Sequence, residues 1–116
     1  MEAINALLAK YDDFRDAQFY SITAPSKGTY VVTLAVLDED GMEATHHVKL
    51  TFSGATNVRL LENSMLGFLD MMSGVSIVYE RDLYGFAIGR CSAMLNVQSA
   101  PLYLIAPNLE IEEVTL

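Results

Sequence analysis

Cysteine occurs once, at Cys91, so the chain cannot close a disulfide on itself and nothing in it requires an oxidising compartment. Proline is also scarce, with three residues, and there is no low-complexity stretch, repeat or linker to divide the 116 residues. One domain, residues 1–116, is therefore expected. No apolar run approaches the roughly 18 residues that would suggest a membrane span. Glu2 stands where a secretory signal would carry positive charge, and the apolar residues after it are periodic rather than continuous, as in a retained helix. The expectation is a soluble, cytoplasmic protein.

Positive charge is the other shortage. Seven Lys and Arg face fifteen Asp and Glu, for a formal charge of −8. The basic residues are scattered at Lys10, Arg15, Lys27, Lys49, Arg59, Arg81 and Arg90, whereas a phosphate backbone is held by clustered ones, so nucleic acid is not an expected partner. If charge steers an encounter, the partner is a basic protein surface or a cationic ligand. The motifs that announce common chemistries are also absent: no G-x-S-x-G, P-loop, GxGxxG, CxxC or HExxH occurs. No catalytic residue, cofactor or metal site is therefore assigned, and a non-enzymatic role is expected.

Hydrophobic residues are abundant at 52%, against 19% charged, a composition that builds a core. The clearest pattern runs from Thr29 to Gly54. Tyr30, Val32, Leu34 and Val36 alternate with Val31, Thr33, Ala35 and Leu37; His46, Val48, Leu50 and Phe52 alternate with Thr45, His47, Lys49 and Thr51. Period two predicts a long β-hairpin, closed at Asp38-Glu39-Asp40-Gly41 because Gly41 can take positive φ without steric cost. The incoming strand is apolar on both faces and the outgoing one on a single face, so an interior strand lies beside a half-exposed one.

Ile4, Leu7, Leu8 and Tyr11 recur at i, i+3, i+4 and i+7 and predict an amphipathic helix over residues 2–11, too short to stand without docking on a sheet. Arg15–Ile22 reads as a first strand ended by a turn at Ala24–Gly28. Val58–Leu61 fits either a short strand or a helix entry. Met65–Met72 has helical spacing with Ser64 as cap and Gly74 as stop, which reads chiefly as core, although clustered methionines also make adaptable binding grooves. Val75–Glu80 and Phe86–Cys91 read as another hairpin, with Gly85 and Gly89 marking a bulge or a close backbone approach, and one or two strands follow in 102–116.

Several side chains invite a chemical reading. Asp38, Glu39, Asp40 and Glu43 resemble a calcium loop only superficially, since the flanks are strands and apolar residues fall at ligand offsets. His46 and His47 are neighbours on a strand, point to opposite faces and cannot chelate one ion together. Asp12, Asp13 and Asp16 fit capping and solvation, and Cys91 fits a small buried thiol. Tyr20, Tyr30, Tyr79, Tyr84 and Tyr103 offer rigid contact area to a partner. The candidate partner contacts are Asp38, Glu39, Asp40, Glu43, Tyr79 and Tyr84.

The run Tyr11-Asp12-Asp13-Phe14-Arg15-Asp16-Ala17, followed by the hairpin and Val48-x-Leu50-x-Phe52-x-Gly54-Ala55, resembles small β-rich bacterial families of unknown function that include immunity proteins of polymorphic toxin systems. The likeness covers roughly the first half; many members carry a His where this stretch has only Asp and Arg. It implies a non-enzymatic acidic domain that neutralises a toxin by covering its surface, and assigns no particular contact residue. The fold expected is α+β: a twisted antiparallel sheet, a meander of hairpins, with the N-terminal helix on one face. Protein binding, in the form of an acidic immunity-type inhibitor of a basic toxin, is the expected role. The alternatives are a self-assembling structural subunit, hence a homo-oligomer, and a ligand-binding or enzymatic domain with a pocket between helix and sheet.

Overall fold

The computed structural model describes residues 1–116. Its elements are α1 (Glu2–Lys10), β1 (Gln18–Ser26), β2 (Thr29–Leu37), β3 (Ala44–Ser53), β4 (Asn57–Arg59), α2 (Asn63–Leu66), β5 (Val75–Glu80), β6 (Leu83–Ile88), α3 (Met94–Val97), β7 (Tyr103–Ala106) and β8 (Asn108–Thr115). The fold is α+β, and all its strand pairs are antiparallel. The strands divide between two four-stranded sheets, ordered β1-β2-β3-β8 and β4-β7-β6-β5.

The predicted hairpin is the centre of the first sheet. β2 and β3 pair from Thr29↔Ser53 to Leu37↔Ala44, with Gly41 at φ 68° in the connecting turn. Period two then sorts the side chains. Val32, Leu34, Val48, Leu50 and Phe52 face the second sheet, where they meet Val75, Ile77, Phe86, Leu102 and Leu104 in one core. Phe86 ties the sheets together, its ring 6.2 Å from that of Phe19 and 5.7 Å from that of Phe52. Ile4 and Leu7 of α1 enter the same core, as the helical spacing requires.

β1 runs through Pro25 to Ser26, farther than the sequence pattern indicates. An edge strand tolerates proline because its outward N–H needs no ladder partner, and β1 is at the edge. That edge is partly covered. The Asn63 side chain accepts from the Ile22 N–H at 2.9 Å and donates to the Ile22 carbonyl at 3.2 Å, pairing with the strand as another backbone would. Val58–Leu61 resolves as strand β4 over Asn57–Arg59. The chain returns to the first sheet through Pro107, whose ring lies beside Gly54 where the outward crossing begins.

The Met-rich segment corrects the sequence reading. Only Asn63–Leu66 is helical, and the N-cap is Glu62 rather than Ser64. Leu66 and Met71 are buried, whereas Met65, Phe68 and Met72 face water. The helical spacing was matched by a segment that anchors at two points and otherwise lies open. Tyr103 also departs from expectation: it is buried in a satellite cluster with Ala87, Val97 and Ile105, and its hydroxyl donates to Asn57 Oδ1 at 3.0 Å. Cys91 lies beyond the end of β6, in the loop leading to α3.

Candidate functional site

Between α1 and β1 the backbone adopts a conformation that no propensity argument anticipates. Asp12, Asp13, Phe14 and Asp16 all have positive φ, between 51° and 61°. Asp visits this region more readily than most residues, but a consecutive run that includes Phe is costly, about 1–2 kcal/mol for each such residue. Burial holds it in place. Phe14 is 1% exposed in the main core and stacks on Tyr11 at 5.3 Å between centroids. The Asp16 N–H donates to the Met71 carbonyl at 2.9 Å. Gly74, itself at φ 70°, packs on the Asp13 carbonyl so closely that a Cβ there would overlap it.

This left-handed turn places Arg15 between two clefts. The first, about 290 Å³, is lined by Tyr11, Arg15, Asp16 and the tip Asp38–Gly41, among others. Asp38 turns its carboxylate inward, accepting the Met42 N–H at 2.9 Å and more weakly the Glu43 N–H at 3.4 Å; those bonds hold its carboxyl below the usual range. It is occupied in closing the turn, while Glu39 and Asp40 are exposed. The second cleft, about 460 Å³, is lined by Asp13, Arg15, Ser76, Arg90, Cys91 and Ser92. Burial pushes the Cys91 thiol up, away from the reactive thiolate.

No protein-family model, curated protein or solved structure matches this chain.

The candidate contacts therefore fall in two places. Asp38, Glu39 and Asp40 share the first cleft, with Glu43 behind them in the same turn. Tyr79 and Tyr84 face each other across β5 and β6, rings 4.6 Å apart, at the opposite end of that hairpin from Gly74 and Ser76. Tyr84 packs against the core and Tyr79 is exposed, its hydroxyl donating to Asp82 at 3.2 Å. His46 and His47 do occupy opposite faces: His46 lies 6.0 Å from the Tyr11 ring, and His47 lies 4.8 Å from the Tyr20 ring at a 39° tilt. No group of three or more His, Cys, Asp or Glu is arranged to hold a metal ion. The groove between α1 and β8, about 230 Å³, is lined by Ala3, Ala6, Leu7, Lys10, Ile111 and Glu113.

Two features of the surface were not legible as sites. One is the convergence of Arg15 and Arg90, far apart in the chain; nothing local in the sequence announces it. The other is the outward projection of the 65–72 segment. Phe68 is 82% exposed, Met72 74% and Met65 49%. From Leu60 to Glu80 the chain has no basic residue, and its charged residues are Glu62, Asp70 and Glu80. Because Met71 is bonded to Asp16, the segment ends beside the acidic cleft.

One charge cluster ties α1 to β8 and sets a pH response. Tyr11 Oη at 2.7 Å and Lys10 Nζ at 3.0 Å both donate to Glu113 Oε1. They hold the Glu113 carboxyl below its ordinary value, and Glu113 in turn holds the Lys10 ammonium above its own. Lowered carboxyls at Glu113 and Asp38 add stability that is present above their unfolded pKa and lost as pH falls through the folded one. Raised Lys10 adds stability lost as pH rises through its folded pKa. Melting temperature is expected to decline below about pH 4, with a shallower acid limb in a Glu113→Gln, Asp38→Asn double variant. An unchanged acid limb would assign the decline to other carboxylates.

Proposed function

We propose that the protein is a non-enzymatic protein-binding domain acting in the cytoplasm, of the acidic immunity type that the 11–17 and 48–55 segments resemble, and that it covers a basic toxin. The observation that carries the reading is the exposure of Phe68, Met65 and Met72 on one short segment beside an acidic cleft. Isolated exposed apolar residues are ordinary, but several on one flexible-side-chain surface are the usual anchors of an interface. The acidic residues around them favour a partner whose apolar recess is rimmed by Lys and Arg. Charge would then govern approach, and the buried anchors would govern dissociation.

The test is capture of a partner from the source organism by wild type and by a Phe68→Ser, Met72→Ser variant shown by circular dichroism to be folded. A single stoichiometric basic partner is expected, held less tightly as salt rises, and at least about tenfold more weakly by the variant. A partner bound equally well by both would move the interface elsewhere. A stable homo-oligomer that the substitutions dissociate would replace this reading with self-assembly.

A further inference from the structure

We infer that the cleft between the left-handed turn and the β6–α3 loop is a binding site for a compact phosphate group. It is lined by Asp13, Arg15, Ser76, Arg90, Cys91 and Ser92 and has a volume of about 460 Å³. Two of the seven basic residues of a strongly acidic chain meet there. Neither is neutralised: the one salt bridge in the structure is Lys10–Glu113. Arg15 Nε is moreover buried without any hydrogen-bond partner. The terminal nitrogens of that guanidinium also make no hydrogen bond and, unlike Nε, are not closed off from solvent, so an anion entering the cleft meets unpaired donors.

The shape of the donor set selects the ligand. One guanidinium fork already engages both oxygens of a carboxylate, whereas a tetrahedral phosphate has further oxygens for a second fork, so a pair of arginines suits the phosphate better. The serines are less free. Ser76 Oγ donates to the Gly89 carbonyl at 2.6 Å and accepts from the Cys91 N–H at 2.8 Å, and Ser92 Oγ donates to Asn96 Oδ1 at 3.3 Å. Ser76 thus fixes the loop that carries Arg90 and Cys91 against β5. Asp13 opposes the anion, leaving the cleft with one net positive charge from two arginines and one aspartate. Together with the overall charge of −8, this excludes an extended polyanion and favours a single phosphate.

Asp13 also makes the site testable. At φ 57° it occupies a backbone conformation that Asn adopts as readily, so Asp13→Asn removes the charge without disturbing the turn. Inorganic phosphate is titrated into the full chain by phosphorus NMR and calorimetry at fixed ionic strength, followed by methyl phosphate. Saturable binding is expected with a dissociation constant on the order of 1 mM. Exposed Arg90→Gln should weaken it about tenfold, and Asp13→Asn should tighten it. A merely structural role for these residues predicts no tightening. Equal binding of methyl phosphate identifies a phosphorylated small molecule as the class of ligand; binding of inorganic phosphate alone identifies the free ion. Absence of saturable binding, or binding indifferent to both substitutions, overturns the assignment.

Discussion

Replacing Phe86 by Ala is expected to lower the unfolding free energy by about 3–5 kcal/mol, measured as the shift of the urea midpoint at constant slope. Phe86 is fully buried on β6 of the second sheet and touches Phe19 and Phe52, which belong to different strands of the first. Its removal deletes apolar area and leaves a void bounded by two sheets whose backbones are fixed by their own ladders, so collapse around the cavity is restricted. With a domain stability of about 5–15 kcal/mol, the variant would retain little margin. A loss below about 1 kcal/mol would mean that the two sheets close readily over the gap.

Gly74→Ala is expected to cost about 2–5 kcal/mol by the same measurement, from positive φ and overpacking together. Its Cβ would fall on the Asp13 carbonyl oxygen and 3.1 Å from the Arg15 nitrogen, both backbone atoms that no rotamer change can move aside. Gly89→Ala is the internal control. Gly89 also has positive φ, at 89°, but nothing lies within 4 Å of the added atom, so only the conformational part, about 1 kcal/mol, applies. Equal losses in the two variants would show that the close approach to Asp13 carries no energy. Because Gly74 supports the turn that bears Asp13 and Arg15, Gly74→Ala should also weaken phosphate binding in whatever fraction remains folded.

The hairpin and α1 were legible because their signals are local. Period two from Tyr30 to Phe52, Asp-Gly at the turn and the Ile4–Leu7–Leu8–Tyr11 stripe each specify an element without reference to the rest of the chain. The division into two sheets was not, since it depends on pairings between distant segments, such as β3 with β8. The left-handed turn over Asp12–Phe14 is imposed from outside, by the burial of Phe14 and by a glycine sixty residues further on, Gly74. Helical spacing in Met65–Met72 says which residues share a face and is silent on whether that face meets protein or water. For the candidate site, the acidic tip was visible as a run of carboxylates, whereas the meeting of Arg15 with Arg90 exists only in the folded chain.

The protection of β1 rests on a single side chain. One primary amide, that of Asn63, both accepts from and donates to Ile22. Hydrolytic loss of that amide nitrogen would leave a carboxylate, which can accept but cannot donate. Its oxygen would then oppose the Ile22 carbonyl instead of binding it, and the edge of the first sheet would be released to pair with another strand. Ageing at one asparagine would thus convert a guarded margin into an adhesive one, a change of one mass unit accompanied by the onset of self-association.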